Sequence, residues 1–292
     1  MRRTMLFIPG NNPGMLLNCD VYGADGVIWD LEDAVAPSEK DAARLLVRNA
    51  LRALRPIRGD MIIRINSLGT DYWRADLETI VPLAPEYLMP TKVNGPEDMR
   101  ILDQEIAAIE EKHALPVGGI KLIPLLETSL GIEHAFDIAT STKRCESLYL
   151  GAEDLTADLQ AKRTKRGKEI EYSRGRLVVA ARAADVAAYD TPFTDVDDLD
   201  GLLEDAQYAK DLGFDGKAVI SPKHVDIVNR VFTPSEEAVA YAREVLQVIE
   251  EAKRLGKGAI SLHGKLIDAP IVKRAQQVLE IVEAIKGDRT HA

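Results

Sequence analysis

The sequence predicts a (β/α)8 TIM barrel followed by a C-terminal helical extension. Short apolar runs recur along the chain, each is followed by an amphipathic segment, and this alternation repeats eight times before residue 233. No Gly-x-Gly-x-x-Gly turn opens any of these units, which disfavours the alternative of a doubly wound dinucleotide-binding sheet. We expect a barrel domain over residues 1–232 and an extension over residues 233–292, which would contribute to an oligomer and to the active site.

The predicted strands are apolar runs bounded by Gly, Pro or polar residues. They are Met5–Ile8, Gly26–Asp30, Met61–Ile65, Tyr87–Met89, Ile120–Leu125, Leu148–Leu150, Ala187–Tyr189 and Gly216–Ile220. The predicted helices after them cover residues 14–22, 42–54, 72–83, 96–112, 132–140, 173–186 and 202–212, with an eighth ending at Phe232. Pro96 suits the first turn of its helix, where a missing N–H costs no hydrogen bond.

The extension begins with a predicted N-cap at Ser235 and a helix that runs to about Leu255. Gly256-Lys257-Gly258 ends this helix. Residues 259–268 are apolar and predicted to be irregular, and Pro270 opens a last helix to about Ile285.

Composition excludes several classes of function. The net charge of −10 argues against a nucleic-acid partner, because phosphate backbones bind basic faces. No apolar run reaches the roughly 20 residues of a membrane span, and the first run is too short for a signal peptide, so we expect no membrane association and a cytoplasmic location. Cys19 and Cys145 lack a metal-binding spacing and suit a reducing compartment. The five histidines are scattered, which disfavours histidine-based catalysis.

Charged side chains follow most of the predicted strands, at the end of a barrel where active sites lie. Glu127 directly follows the fifth strand, and Glu153 and Asp154 open the loop after the sixth. Carboxylate oxygens suit Mg²⁺, which usually takes one or two of them and keeps positions for water and substrate. We therefore favour a metal site at Glu127 and Asp154 over loop capping or surface charge.

Some of the other charged residues at the strand ends have two interpretations from sequence alone. Arg64 could hold a substrate carboxylate in its planar fork, or could form a buried ion pair with a neighbouring acid such as Asp30. Glu32, Asp33 and Lys92 are expected to form a salt-bridge network around the site, where they and Glu153 would support the metal ligands. The basic loop, residues 162–168, is either solvated or binds phosphates or an acidic partner protein.

Seven short segments form a combination that is specific to one group of barrels. They are Arg3–Gly10, Asp30–Asp33, Arg64–Asn66, Glu127–Gly131, Gly151–Leu155, Gly213–Lys217 and Gly264–Pro270. Together they resemble the CitE-like lyases, the citrate lyase β-subunit group of the HpcH/HpaI aldolase/citrate lyase family. The resemblance runs from Arg3 to about Val282 and implies a barrel of the phosphoenolpyruvate/pyruvate superfamily type.

The resemblance also implies an activity. It is Mg²⁺-dependent retro-Claisen cleavage of a citryl thioester on acyl-carrier protein, which gives oxaloacetate and an acetyl thioester. The resemblance further implies that the chain works with citrate lyase α and γ subunits and forms a trimer or hexamer. Glu127 and Asp154 match the metal ligands of these lyases. Arg64 and Glu127 match their substrate-binding residues. Asp268 matches an acid/base that, in related lyases, reaches a neighbouring subunit. The alternatives are a stand-alone malyl-CoA or citramalyl-CoA lyase and a non-catalytic scaffold subunit.

Overall fold

The computed structural model of the chain describes residues 1–54, 59–254 and 261–290. These residues form two compact units, of which the first, Arg2–Arg230, is a barrel and the second begins at Val231. Within the described ranges, no helix is both long and apolar enough to cross a membrane.

The barrel consists of parallel strand segments. They are β1 Thr4–Pro9, β2 Gly26–Asp30, β3 Asp60–Ile65, β4 Tyr87–Pro90, β5 Lys121–Leu122, β6 Leu125–Leu126, β7 Ser147–Leu150, β8 Ala187–Asp190 and β9 Gly216–Val219. Neighbours pair in the order β5-β4-β3-β2-β1-β9-β8-β7-β6. The two ends of this order, β5 and β6, are halves of one chain segment, so the sheet closes on itself with eight strand positions. The predicted (β/α)8 barrel is confirmed.

The fifth barrel strand is interrupted between β5 and β6, where the sequence predicts one run, Ile120–Leu125. Pro124 has no N–H to donate to a ladder, so the regular pattern stops there. The pairing with both neighbours nevertheless continues, since Ile123 N donates to Leu88 O (2.9 Å) and Pro124 O accepts from Tyr149 N (3.1 Å).

Helices follow the strands around the barrel. They are α1 Pro13–Leu17, α2 Lys40–Ala53, α3 Trp73–Ile80, α4 Pro96–Lys112, α5 Ser129–Glu133, α6 Ala135–Thr140, α7 Ala152–Asp158, α8 Glu171–Ala183, α9 Leu199–Leu212 and α10 Pro222–Phe232. The helix predicted over residues 132–140 is two short helices. Short 3₁₀ turns cover Cys19–Tyr22, Pro37–Glu39, Val81–Leu83 and Lys168–Ile170.

Helix α7 corrects one expectation, because Glu153 and Asp154 lie in its first turn and not in a loop. The chain turns into α7 immediately after β7. Gly151 N donates to Leu126 O (3.0 Å), and Ala152 N donates to the Thr191 hydroxyl (3.1 Å). Acidic residues in a first turn are favoured by the helix dipole. The result is a fixed position for both carboxylates at the strand end.

The barrel interior is filled by side chains from every strand position. The buried cluster contains Met5, Ile28, Ile62, Met89, Ile123, Leu125, Tyr149, Tyr189 and Ala218. Tyr149 also packs edge-on against Phe7, with ring centroids 6.2 Å apart. The interior is thus a packed core, and the chemistry is left to the rim.

The C-terminal unit contains α11 Glu236–Arg254, the antiparallel pair β10 Ser261–Leu262 and β11 Lys265–Leu266, and α12 Ala269–Thr290. Residues 261–266 form a hairpin where an irregular stretch is expected. His263 and Gly264 turn it at φ 49° and 77°, a left-handed geometry that Gly adopts without cost. The predicted helix break at residues 256–258 lies outside the described residues.

Candidate active site

The carboxyl ends of the barrel strands bring together most of the predicted site residues. Arg64 lies near the end of β3, Lys92 follows β4, Glu127 follows β6, and Asp154 follows β7. Glu32, which follows β2, joins them through ion pairs to Arg64 and Lys92. The rim therefore carries a cluster of acids around two cations.

Arg64 forms ion pairs within the chain, and its side chain is 11% exposed. Its Nε donates to Asp30 Oδ1 at 2.6 Å, its Nη2 donates to Asp30 Oδ2, and its Nη1 lies 3.1 Å from Glu32 Oε2. Burial opposes the charge of the guanidinium, but Asp30, Glu32 and Glu127 outweigh it and raise the pKa of Arg64. A guanidinium has five N–H donors, so one on each Nη remains after these contacts. The buried ion pair and a carboxylate-binding role are thus compatible.

Lys92 is the cation at the centre of the acid cluster. Its Nζ lies 2.6 Å from Glu32 Oε1, 2.9 Å from Asp154 Oδ2 and 3.7 Å from Asp33 Oδ2. Its backbone is left-handed, at φ 52°, which is uncommon for a residue with a Cβ and is typical of functional sites. This geometry points the Lys92 N–H at Glu127 Oε1, 2.9 Å away. One residue thus contacts most of the cluster's carboxylates.

Glu127 is 4% exposed and surrounded by charge. Burial raises its pKa to about 8, with help from the Glu32 and Asp154 carboxylates and against the opposing effect of Lys92 and Arg64. Its side chain packs on the backbone of Gly151. A Cβ at residue 151 would lie 2.7 Å from Glu127 Cβ and 2.8 Å from Glu127 Oε2, so only glycine fits here.

The carboxylates suit a hard divalent cation. Asp154 Oδ2 is buried and, among the described residues, has no hydrogen bond of good geometry, although the Lys92 ammonium is close. The same part of the chain contains no preformed group of three or more metal-binding side chains. Two carboxylates are enough for Mg²⁺, which keeps several waters and binds substrate oxygens. Glu127 and Asp154 therefore fit the ion.

The other predicted residues have structural partners. Glu153 is 60% exposed at its side chain and pairs with Arg163 of the basic loop (3.1 Å). Asp33 is exposed at the edge of the cluster. Asp268 is exposed and caps α12, since Ile271 N donates to its Oδ1 (3.1 Å). Asn, as well as Asp, could serve as this cap.

Two residues that support the site have no clear signal in the sequence. Lys40, in the first turn of α2, is buried and donates to the carbonyl oxygens of Leu31 (2.9 Å) and Glu32 (2.6 Å). Burial lowers the pKa of Lys40, and nearby acids oppose this. A lysine at a helix start is typically solvated. Its hydrogen bonds to the backbone at Leu31 and Glu32 are therefore seen only in the three-dimensional structure. The need for glycine at residue 151 is equally a matter of tertiary contact.

A cavity of about 470 Å³ adjoins the acid cluster. It is lined by residues after β3 and β4, among them Ser67, Trp73 and Asn94, and it shares Lys92 with the cluster. A volume of this size is typical of small-molecule sites.

Comparison with known proteins identifies the family. The sequence profile of the HpcH/HpaI aldolase/citrate lyase family matches residues 3–222. The chain belongs to the HpcH/HpaI aldolase/citrate lyase family. It is 39% identical over 284 residues to citrate lyase subunit beta of Leuconostoc mesenteroides subsp. cremoris, covering 97% of this chain and 94% of that protein. The resemblance found in the sequence is thereby confirmed.

Two further relatives extend the comparison. Mitochondrial citramalyl-CoA lyase of Rattus norvegicus is 33% identical over 98% of this chain and 87% of its own length. A solved structure is also similar, that of CitE from Mycobacterium tuberculosis in complex with magnesium, acetoacetate and coenzyme A. Its sequence is 31% identical to this chain, and the two structures align with a TM-score of 0.78 over 96% of this chain and 97% of that one. The family member described here is a carbon–carbon lyase.

Proposed function

We propose that this chain cleaves a citryl thioester on acyl-carrier protein to oxaloacetate and an acetyl thioester, as the β-subunit of a citrate lyase and with Mg²⁺. The observation that carries the proposal is the cluster around Lys92, beside Arg64. Glu32 and Asp154 pair with the Lys92 ammonium, and Glu127 accepts a hydrogen bond from the Lys92 backbone N–H. The similarity to citrate lyase β-subunits over nearly the whole chain supports the choice of substrate. Glu127 and Asp154 would hold the ion.

The reaction breaks the bond between the carbinol carbon and the methylene carbon next to the thioester. The hydroxyl proton leaves, a carbonyl forms on the oxaloacetate side, and the bonding electrons pass to the acetyl thioester as an enolate, which is then protonated on carbon. A bound Mg²⁺ supplies Lewis acidity for the hydroxyl and carboxylate oxygens of the substrate. The remaining Nη–H donors of Arg64 hold a substrate carboxylate and fix the orientation of the breaking bond.

Asp268 is proposed as the group that moves protons. Its Oδ1 is used to cap α12, while its Oδ2 has no hydrogen bond within the described residues. In this proposal it either removes the hydroxyl proton or returns a proton to carbon, from a neighbouring copy of the chain in a homo-oligomer.

The second candidate is a stand-alone lyase for citramalyl-CoA or malyl-CoA, favoured by the 33% identity to citramalyl-CoA lyase. Both candidates use the same acid cluster and differ in the substrate and its carrier. The scaffold alternative is set aside, because the family is one of lyases and the chain retains the acidic cluster.

The deciding assay compares citryl-carrier protein, citramalyl-CoA and malyl-CoA as substrates, each with Mg²⁺ and with EDTA. Under the proposal, oxaloacetate is released from the citryl substrate, only with the metal, and with a kcat/KM well above that for either CoA ester. A higher kcat/KM for citramalyl-CoA or malyl-CoA would instead assign the chain to the second candidate.

Lys92 provides a separate prediction about the metal. Its ammonium pairs with Glu32 and with Asp154, one of the two proposed metal ligands. Lys92→Met should therefore leave Asp154 without this cation and Glu32 with Arg64 alone. We expect a lower Tm without metal and a larger Tm increase on addition of Mg²⁺ than in the wild type, measured by differential scanning calorimetry. Lys223→Met, which removes an exposed rim lysine paired with Asp197, is the matched control. An unchanged Mg²⁺-induced increase in Lys92→Met would show that Lys92 does not compete with the ion.

A further inference from the structure

The basic loop, residues 162–168, has no part in the chemistry proposed above. It contains five cationic side chains in seven residues, in a chain whose net charge is −10. It lies between the end of β7 and α8, and Arg163 within it pairs with Glu153, so it is on the same face of the barrel as the acid cluster. Such a concentration of positive charge at the rim of an acidic protein needs an explanation.

Part of the loop is firmly anchored. Arg163 pairs with Glu153 (3.1 Å) and Glu169 (2.9 Å), and Glu169 also accepts hydrogen bonds from the N–H and hydroxyl of Thr164, both at 2.7 Å. Burial raises the pKa of Glu169, but these contacts outweigh burial and lower the pKa to about 2. The Glu169 carboxylate is therefore charged at neutral pH. The loop is therefore fixed to the helix that carries Asp154.

A second anchor joins the loop to the next strand end. Lys165 Nζ lies 2.6 Å from Asp195 and 2.7 Å from Asp198, both in the segment between β8 and α9. Gly167 closes the turn at φ 62°, and its N–H donates to Thr164 O (3.2 Å). These contacts connect the loop to two strand ends.

The three remaining cations have no such role. Lys162, Arg166 and Lys168 are exposed, and none of them forms an ion pair or a side-chain hydrogen bond with any residue that the structure describes. The anchored residues thus present three unpaired positive charges on a rigid support. A surface that is ordered before binding loses little conformational entropy when a partner docks.

We infer that Lys162, Arg166 and Lys168 form the docking surface for an acidic patch on the protein that carries the thioester substrate. The inference rests on the proposed function, since it names the partner that delivers substrate to that site. Because the whole chain is acidic, an acidic carrier is repelled from most of its surface, and a local basic patch directs the carrier to the rim.

An acidic protein fits this surface better than the phosphates of a nucleotide. A phosphate site needs donors that converge on one point, whereas these three side chains are spread along an exposed loop. The cavity beside the acid cluster is lined from the loops after β3 and β4 and includes none of the three. Separate charges on an open surface match the separate charges of a protein partner.

The test uses the triple variant Lys162→Glu, Arg166→Glu and Lys168→Glu in the full-length chain. The control variant is Arg52→Glu, Lys112→Glu and Lys143→Glu, which makes the same change in net charge at exposed residues that precede the opposite ends of the strands. For both, kcat/KM is measured on the same citryl group carried by acyl-carrier protein and by CoA. Binding of the carrier protein without its citryl group is measured by calorimetry at several salt concentrations.

The loop variant should lose about 10- to 1,000-fold in kcat/KM on the carrier-borne substrate, mainly through KM, as expected when electrostatic steering is removed. Its kcat/KM on the CoA ester should change less than threefold, and the control should behave like the wild type. Carrier affinity should fall with salt in the wild type and be weak at all salt concentrations in the loop variant.

Three results would overturn the inference. Equal losses on both thioesters would mean that the loop recognises the shared arm, a selective loss on the CoA ester would indicate nucleotide binding, and no loss on either would leave the loop merely solvated. The proposed function fails differently: neither thioester would be cleaved by the wild type, while the binding experiment would still report whether the carrier docks on the loop.

Discussion

Glu127→Gln is expected to lower metal-dependent cleavage by about 10³-fold or more while making the metal-free protein more stable at neutral pH. The amide cannot supply the negative charge that holds the cation, so turnover should fall with little change in the fold. Asp154→Asn should lose a similar factor for the same reason. The measurements are kcat at saturating substrate and Mg²⁺ affinity by isothermal titration calorimetry.

The gain in stability follows from the raised pKa of Glu127. Its folded-state pKa, about 8, lies above its usual value of 4.5, so the folded protein binds the proton more tightly than the unfolded chain. The stability that this group contributes is therefore present below pH 4.5 and is lost as pH rises towards 8. At about 1.4 kcal/mol per pH unit, the loss amounts to a few kcal/mol at most. Glu127→Gln should remove this pH dependence, and the free energy of unfolding of the metal-free protein should differ most from the wild type near pH 8.

Glu153→Gln is the matched control, because Glu153 lies in the same helix turn as Asp154 but is exposed, and among the described residues its carboxylate pairs with Arg163 alone. It should retain near-normal turnover and Mg²⁺ affinity. If Glu127→Gln and Asp154→Asn bind Mg²⁺ as the wild type does, the ion is held elsewhere. If Glu127→Gln is less stable than the wild type at pH 8, the neighbouring cations stabilise the Glu127 carboxylate of the wild type more than burial destabilises it.

The barrel could be predicted from sequence because its signal is repeated and local. Each strand is an apolar run, and the bounds of β2 and α4 are those expected from pattern alone. Departures occur where a tertiary contact decides the outcome. Helix α7 has only seven residues, too few for a clear period, and it is fixed at its start by the hydroxyl of Thr191 from the next strand end.

The candidate site was predictable in its acids but not in its geometry. The sequence predicts Glu127 and Asp154 because both follow apolar strands, and parallel strands end on one rim. The structure places both beside Lys92, and their role as metal ligands stays a prediction. Nothing in the sequence indicates that Lys92 would adopt a left-handed backbone and contact both Glu127 and Asp154. The ion pair expected for Arg64 is present, but the sequence does not indicate that it would involve Asp30 and Glu32 together. Such contacts join residues tens of positions apart, and only the closed barrel brings them together.

The second large effect is expected from Asp268. If it is the acid/base, Asp268→Asn should lower kcat by about 10²- to 10⁴-fold, the usual contribution of a positioned proton donor or acceptor. The fold should survive, because Asn also caps helices and can accept the hydrogen bond from Ile271 N. Near-normal turnover in this variant would remove Asp268 from the chemistry and leave it as a cap.

Mixing experiments then decide whether Asp268 acts in its own subunit or in a neighbour. Arg64→Ala is a poor partner for this test, because it would strand Asp30, 1% exposed, without its counter-ion at a cost of about 3–5 kcal/mol. Asp154→Asn leaves that pair intact. In a ring where each site takes Asp268 from one neighbour, an equal mixture of Asp154→Asn and Asp268→Asn chains should recover about a quarter of wild-type activity. If each chain supplies its own Asp268, every site has a lesion and nothing is recovered.

The wild type mixed equally with an Asp154→Asn, Asp268→Asn double variant gives an independent reading. Action in trans again leaves about a quarter of the sites complete, because a wild-type barrel must meet a wild-type neighbour, whereas action within one chain leaves about half. Native mass spectrometry of chains with different mass tags must show that mixed oligomers form. Since the two mixtures give a quarter and a quarter in trans but zero and a half in cis, their ratio distinguishes the mechanisms even if some chains are inactive.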